Sequence, residues 1–200
     1  MEIRKLFSFK GSHTVRNCTS ELCKFSLHGH RYQLEVYFKS TPNGQGKILD
    51  NGQMVYDFGL TKKSLKEFIK AFDNTYAMWS KESDYFKTSI KTINKRWVDL
   101  PFSPSAESLS IMFLKVFDKI ISSTQTANGE KDIYISKVKV HETTTGYATA
   151  FREDLASIDY DIKDIVFSPT IEAELSDLFK QVVFNNKGFF INELPVQQIF

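Results

Sequence analysis

Apolar and polar residues alternate along two segments near the start of the chain, residues 2–10 and residues 28–38. In the second segment the even positions from Tyr32 onward are apolar, whereas most of the odd positions are polar. Alternation with a period of two is typical of a strand that buries one of its faces. Extended apolar segments at 133–142 and 147–152 indicate two more strands. The pattern therefore predicts four strands.

A helical spacing replaces this alternation in the middle of the chain. Apolar residues recur at intervals of three and four over residues 60–72, which predicts an amphipathic helix. Ser103 followed by Pro104 is typical of a cap and a first helical position, and an apolar stripe then runs over residues 109–120. A third stripe at residues 171–182 predicts another helix near the end of the chain.

The order of these elements predicts the fold class. Two strands, two helices and two strands in succession are typical of an α+β domain in which a four-stranded antiparallel sheet carries both helices on one face. We assign this domain to residues 1–154. No linker or low-complexity segment separates residues 155–200 from it, so we expect a C-terminal helical extension packed on the same domain.

Three of the four histidines in the chain lie within 18 residues, together with both of its cysteines. His28 and His30 are two positions apart and so share one face of the second strand. With His13 they offer three nitrogen ligands, which would leave an open position on a tetrahedral zinc ion, as in catalytic sites. The alternative is that the imidazoles only cap an apolar strand face. The nearby Cys23 favours the metal site.

Composition narrows the possible partners and the compartment. Lys and Arg number 26 against 24 Asp and Glu, so the net charge of +2 gives no electrostatic reason to expect nucleic acid or a membrane surface. No apolar run is long enough to span a bilayer, and residues 1–9 lack the apolar block of a signal peptide. Two cysteines are too few for a disulfide framework, so we expect a reducing cytoplasm.

A series of motifs along residues 3–152 resembles that of the 6-pyruvoyl- and 6-carboxy-tetrahydropterin synthases. The motifs are, in order, His13, Cys23, His28-Gly29-His30, Asp57-Phe58-Gly59, Pro104-Ser105-Ala106-Glu107 and Glu142-Thr143. The resemblance implies the T-fold, with sheets joined into a barrel in a homohexamer of two stacked trimers and a pterin pocket between subunits. It also implies the substrate 7,8-dihydroneopterin triphosphate.

The same resemblance implies a role for each motif. The three histidines would bind zinc, which acidifies hydroxyls of the substrate side chain. Cys23 would act as the general base, although it could also be an inert buried thiol. Glu142, with Thr143, would anchor the pterin ring, because a carboxylate accepts two parallel hydrogen bonds from an aminopyrimidine edge. Ser105 and Glu107 would complete the pocket, but Glu107 also suits the first turn of a helix without any ligand.

The chain departs from this family pattern after the first helix. The family carries an Asp-His pair that works with the cysteine in proton transfer, whereas this chain has Asp73-Asn74. An asparagine side chain cannot shuttle a proton at neutral pH. The remaining histidine, His141, has the strand parity opposite to Glu142 and should face away from the pocket. The sequence therefore offers no replacement base.

Several functions remain open at this stage. The short loop between His13 and His28 resembles the carboxy-type enzymes, which favours a 6-carboxytetrahydropterin synthase on the route to queuosine-type deazapurines. A 6-pyruvoyltetrahydropterin synthase is the alternative product type. Asn74 favours an attenuated, pterin-binding homologue. An unrelated zinc hydrolase is a fourth possibility, but the histidines lack the neighbouring glutamate base of such enzymes.

Overall fold

The computed structural model describes residues 1–41, 49–50, 53–57, 59, 62–126, 130 and 132–192. Its strands and helices are, in chain order, β1 (Glu2–His13), α1 (Glu21–Phe25), β2 (His28–Ser40), α2 (Lys62–Phe72), β3 (Thr75–Trp79), α3 (Asp84–Ile93), β4 (Trp97–Leu100), α4 (Ala106–Ser122), β5 (Thr124–Thr126), β6 (Ile133–His141), β7 (Tyr147–Phe151), β8 (Val166–Phe167), α5 (Pro169–Glu174), α6 (Asp177–Phe179) and β9 (Phe190–Asn192). Short 3₁₀ segments span Arg152–Ser157 and Ile162–Asp164, and a π-helical turn spans Lys180–Phe184.

The main sheet has seven strands in the order β7-β6-β2-β1-β3-β4-β8. The first four are the predicted strands, and each pairs antiparallel with its neighbour. The predicted α+β class is confirmed, and the four predicted strands form an antiparallel part of this larger, mostly antiparallel sheet. Beyond β1 the sheet continues with β3 and β4, which run parallel to it, and with the antiparallel edge strand β8. None of the helices in the described part of the chain is long and apolar enough to cross a membrane.

Helices α2 and α4 cover one face of this sheet, as predicted. The α4 helix packs against β6 and β7, and α2 packs against β1. Between them lies a cluster of phenylalanine rings whose centroids are 5.2–6.3 Å apart, and its members are Phe9, Phe68, Phe72, Phe113 and Phe117. Phe113 is fully buried, so replacing it by alanine should cost about 3–5 kcal/mol of stability.

The start of α4 differs from the prediction. The cap is Ser105 rather than Ser103, and the helix begins at Ala106 instead of Pro104. Ser105 accepts a hydrogen bond from the amide of Ser108 at 3.3 Å, so it satisfies a free amide of the first turn. Both serines fit a cap by residue type, and only the tertiary contacts distinguish them. The later start leaves the Pro104 carbonyl outside the helix, where it contacts a histidine described below.

The segment β3-α3-β4 was not predicted, because its strands are short and its helix carries few apolar residues. Alternate residues of β3 and β4 face opposite sides of the sheet. Ala77 and Val98 join the main core, whereas Tyr76 and Met78 pack with Ile90 of α3. Helix α3 therefore covers the face opposite to α2 and α4 over this part of the sheet.

The C-terminal segment packs on the main core, but the predicted helix over 171–182 is interrupted. It divides into α5, α6 and the π-helical turn, and its apolar side chains remain buried except for Leu178, which is 48% exposed. Ser176 starts α6 by accepting from the amide of Phe179, and Glu67 of α2 accepts from the amide of Ser176 at 2.6 Å. These capping contacts satisfy the backbone where the helix breaks. The domain boundary at residue 154 stays a prediction.

The open face of the sheet carries a buried carboxylate. Glu35 is hydrogen-bonded to Arg4 at 2.9 Å, to Tyr37 at 2.5 Å and to His141 at 2.5 Å. Burial alone would raise the pKa of Glu35, but the hydrogen bonds from Tyr37, His141 and Arg4 outweigh it and lower the pKa to about 2. His141 faces away from the histidine cluster, in agreement with its strand parity.

Acid should therefore destabilise the fold through Glu35. The ionised carboxylate stabilises the fold at pH values above the ordinary value of 4.5, and this contribution is lost as the pH falls towards about 2. We expect Glu35→Gln to cost on the order of 1–3 kcal/mol at pH 6 and less at pH 3, as measured by urea unfolding. The exposed Glu153→Gln is the control. An equal cost of Glu35→Gln at both pH values would contradict this assignment.

Candidate functional site

Three histidines converge where β1 ends and β2 begins. In the antiparallel register His13 lies opposite His28, and Gly11 lies opposite His30. The ring centroids are 4.7–5.1 Å apart, and one potential ligand atom from each residue lies within 4.8 Å of the others. The predicted juxtaposition is thus present in the fold, and its three nitrogen donors could hold a metal ion.

The glycine between the two strand histidines has a steric role. A Cβ atom at Gly29 would lie 2.9 Å from the carbonyl oxygen of Gly11 and 3.0 Å from the hydroxyl of Ser12. Real Cβ atoms do not come this close to a backbone oxygen. A side chain at this position would push β1 and β2 apart and separate His13 from its two partners.

Backbone carbonyls fix which nitrogen each ring offers. The Nδ1 atom of His13 lies 2.7 Å from the Pro104 carbonyl, and Nδ1 of His28 lies 3.0 Å from the Ser26 carbonyl. A carbonyl only accepts hydrogen bonds, so both Nδ1 atoms carry the proton and both Nε2 atoms keep a lone pair. This is how proteins commonly orient metal-ligating histidines. The Nε2 atom of His13 lies 3.4 Å from the Tyr32 hydroxyl.

Two of the imidazoles, those of His13 and His30, are held in the neutral form that binds a cation. Burial lowers the pKa of His13 to about 4, against the opposing effect of the Pro104 carbonyl, and the neighbouring histidines contribute further. Burial also lowers the pKa of His30. The Nε2 atom of His13 is 3.4 Å from a carboxylate oxygen of Glu142, but with a neutral ring at pH 7 this contact is not an ion pair.

A cavity of about 330 Å³ opens beside this cluster. Its walls bring together most of the predicted site residues, namely His13, His28, Cys23, Ser105, Glu107 and Glu142. Val15, Cys18, Gly146 and Tyr147 also line it and were not predicted, since no motif singled them out. A larger cavity of about 760 Å³ lies near the end of α4, but its described lining contains no histidine or cysteine.

Two carboxylates face this cavity. Burial raises the pKa of Glu142, and repulsion from Glu107 raises it further, whereas His28 lowers it. A half-buried carboxylate next to a like charge favours a ligand that donates hydrogen bonds to it. Thr143 is placed differently, because its hydroxyl accepts from the amide of Gly146 at 2.8 Å and so shapes the turn after β6.

Cys23 lies on α1, the short helix that precedes β2. Ser20 caps this helix and accepts from the amide of Cys23 at 3.4 Å. The carbonyl of Cys23 accepts from the amide of Val15 at 3.2 Å. Cys18 and Cys23 are both free thiols. The fold therefore presents a reduced sulfur atom at the wall of the cavity that His13 and His28 line, whereas His30 borders the neighbouring groove.

Asp73 and Asn74 lie outside this cavity, in the turn between α2 and β3. Asp73 accepts from the amide of Lys10 at 2.8 Å, and the amide of Asn74 donates to the Lys10 carbonyl at 2.6 Å. Asn74 has a φ of 52°, a conformation that asparagine tolerates better than most residues. It borders a separate groove of about 360 Å³ with Lys10 and Arg31 on the open face of the sheet. Within one chain, these two residues therefore do not line the cavity with Cys23.

Comparison with known proteins gives a consistent family. A sequence model described as 6-pyruvoyl tetrahydropterin synthase matches residues 2–153. Two Helicobacter pylori proteins, both named 6-carboxy-5,6,7,8-tetrahydropterin synthase, are 36% identical to this chain over 207 residues, and the match covers 100% of each sequence. The C-terminal segment beyond the family model is thus shared with these relatives.

Solved structures share the fold. An uncharacterized protein from Wolinella succinogenes superposes with a TM-score of 0.59 at 19% identity, over 76% of this chain and 98% of that one. A Caenorhabditis elegans 6-pyruvoyl tetrahydropterin synthase gives a TM-score of 0.49 at 20% identity, over 76% of this chain and 94% of that one. At such low identity the likeness concerns the fold alone. The family match and the likeness to the Wolinella succinogenes protein confirm the predicted α+β T-fold.

Proposed function

Because the chain belongs to the 6-pyruvoyl tetrahydropterin synthase family, we propose that it is a zinc-dependent lyase that converts 7,8-dihydroneopterin triphosphate to 6-carboxytetrahydropterin. The observation that carries this proposal is the convergence of three imidazoles beside a cavity that also holds a thiol and a carboxylate. The carboxy type is favoured over the pyruvoyl type by the names of the two full-length relatives. This activity would contribute to queuosine-type deazapurine synthesis.

The donor set fits zinc. His13, His28 and His30 would hold the ion, and the carbonyl-bound Nδ1 atoms of His13 and His28 direct their Nε2 atoms towards it. When bound, zinc supplies a Lewis acid that acidifies the hydroxyls of the substrate side chain. Family membership excludes the unrelated zinc hydrolase as an alternative.

The side chains around the cavity would bind the pterin and accept the proton. Glu142 would accept hydrogen bonds from the aminopyrimidine edge of the pterin and so fix its position relative to the histidines. Cys23 would take the proton that leaves the substrate. Ser105 and Glu107 at the start of α4 would close the wall of the pocket.

Incubation with 7,8-dihydroneopterin triphosphate tests the proposal. Zinc-loaded protein should consume this substrate, and chelator-treated protein should not. A zinc-loaded protein that leaves the substrate unchanged would contradict it.

Pterin binding should depend on Glu142. Replacing Glu142 by glutamine removes the charge and turns one acceptor into a donor, so we expect pterin binding to weaken by about 1.5–3 kcal/mol. Calorimetric titration with neopterin measures this loss, and elemental analysis should find the same zinc content as in the wild type. The matched control is Glu107→Gln, which should have a smaller effect. Unchanged pterin affinity in Glu142→Gln would remove this residue from the site.

We also propose the homohexamer that the family resemblance implies. The edge strand β7 leaves backbone groups available for pairing, and its Tyr147 and Phe151 are exposed apolar side chains. In such an assembly the turn of Asp73 and Asn74 would serve the cavity of a neighbouring subunit, because it lies on the open face of its own sheet.

An attenuated enzyme is the second candidate, and Asn74 is the observation that favours it. Asn74→His should raise kcat by about 10- to 100-fold, since a general acid or base typically contributes ~10²–10⁴-fold and Asp73 is present to orient the ring. The control is Asn186→His, which places histidine at another turn with positive φ. Steady-state kinetics measure kcat in both variants, and only Asn74→His should raise it. If Asn74→His leaves kcat unchanged in a fully active chain, Asn74 does not occupy the position of a missing base.

A further inference from the structure

The helix that carries Cys23 has almost no hydrophobic anchorage. Helix α1 is five residues long and none of its residues is buried, while Leu22 and Phe25 are 75% and 72% exposed. A helix of this length is not stable by itself in water. Its position therefore depends on the polar contacts that connect it to the rest of the fold.

One side chain provides such a contact from outside the helix. The guanidinium of Arg16 donates from Nη1 to the carbonyl of Lys24, the residue that follows Cys23. The same guanidinium donates from Nε to a carboxylate oxygen of Glu82 at 2.8 Å and lies over the ring of Phe86, 4.7 Å from its centroid. Arg16 thus joins α1 to the β3-α3-β4 segment.

The far side of this contact is rigid. The carboxylate side chain of Glu82 is only 8% exposed, and the backbone amide of Glu82 donates to the Trp79 carbonyl at 2.9 Å. Phe86 packs against the cluster of Tyr76, Met78 and Ile90 that fixes α3 to the sheet. A charge-assisted pair with a planar guanidinium restricts orientation as well as distance.

From this geometry we propose that Arg16, held by Glu82 and Phe86, is a positioning residue that sets where Cys23 lies relative to the histidine cluster. The inference rests on the proposed role of Cys23 as the proton acceptor. Arg16 itself does not line the cavity. It acts on the backbone of α1, and misplacement of a reacting group by about 1 Å can cost on the order of 10²-fold in rate.

Four variants test this role. In Arg16→Gln the glutamine side chain is too short to reach both partners. This substitution also leaves the buried carboxylate of Glu82 without its cation, which costs stability. The double variant Arg16→Gln/Glu82→Gln removes both charges and avoids that cost. Glu82→Gln alone keeps an acceptor for Arg16 and is the conservative variant. Arg152→Gln is the matched control, because Arg152 also contacts a carboxylate, a backbone carbonyl and an aromatic ring, those of Asp118, Ile135 and Tyr134.

The readouts separate positioning from general stability. We expect Arg16→Gln and the double variant to lower kcat by about 10- to 100-fold, with KM and zinc content within about twofold of wild type. Glu82→Gln should retain most of the activity. Alkylation of Cys23 by iodoacetamide, assigned by peptide mass spectrometry, should become several-fold faster in Arg16→Gln and the double variant, because the released helix exposes the thiol. Arg152→Gln should leave kcat and alkylation unchanged even if it lowers the melting temperature.

If Arg16→Gln fails to fold, the double variant tests the positioning role of Arg16 instead. Wild-type kcat and wild-type alkylation in a folded double variant would overturn the proposal, as would an equal loss of kcat in Arg152→Gln. The alkylation measurement needs no substrate. Faster alkylation in a chain that never consumes dihydroneopterin triphosphate would therefore support the positioning of Cys23 and count against the proposed function instead.

Discussion

Replacing His28 by alanine is expected to remove both the metal and the activity. The variant keeps two imidazoles, His13 and His30, and loses the Nε2 atom that the Ser26 carbonyl directs towards them. Loss of a group that hydrogen-bonds to a metal ligand typically costs ~10–100-fold in metal affinity, so loss of the ligand itself should cost more than about 100-fold. Elemental analysis should find about one zinc per wild-type chain and none in the variant, with turnover below detection.

The fourth histidine provides the control for this result. His141 lies on the open face of the sheet, bonded to Glu35, so His141→Ala should retain zinc and most of the turnover despite some loss of stability. Full zinc content in His28→Ala would show that the three histidines do not act as one site. Equal loss of zinc in both variants would point to general damage to the fold.

Cys23→Ala is expected to abolish most turnover without releasing zinc. If Cys23 accepts the proton of the substrate, its loss should lower kcat by about 10²- to 10⁴-fold, which is the usual contribution of a general acid or base. His13 and His28 keep their carbonyl contacts in this variant and His30 is unchanged, so the metal should stay bound. Steady-state kinetics and elemental analysis of the same preparation measure both quantities.

Cys18 is the matched control, because it is a second free thiol at the wall of the same cavity. Its sulfur donates to the Ser20 carbonyl at 3.3 Å, and we expect Cys18→Ser to reduce kcat by less than about tenfold. If Cys18→Ser is the inactive variant and Cys23→Ala is active, the proton acceptor has been assigned to the wrong thiol. If both are active, neither thiol carries the proton.

The histidine cluster was predictable because strand parity is a local property. The two-residue spacing of His28 and His30 fixes a shared face in any strand, and the fold only had to bring His13 opposite His28. His141 and Glu142 are adjacent in the sequence and so have opposite strand parity. This parity likewise predicted that Glu142 faces the cavity and that His141 faces the other side of the sheet. For these residues the alternation of the sequence carried enough information.

Other features depend on contacts between distant segments and had no local signal. Ser103 and Ser105 are equally good caps by residue type, and the fold alone selects Ser105. The link from Arg16 to Glu82 spans 66 residues and joins two segments that periodicity did not connect. The turn position of Asn74 was also not predictable, since a motif gives the order of residues but not the face of the sheet on which they lie.

The identity of the product decides whether the chain is a carboxy-type synthase. Zinc-loaded protein is incubated with 7,8-dihydroneopterin triphosphate, and the pterin products are separated and identified by mass spectrometry, for the chain with Asn74 and for Asn74→His. We predict 6-carboxytetrahydropterin as the zinc-dependent product of both, formed faster by Asn74→His. The pyruvoyl product in its place would contradict the carboxy-type assignment, and an unaltered substrate with both proteins would contradict the proposed activity itself.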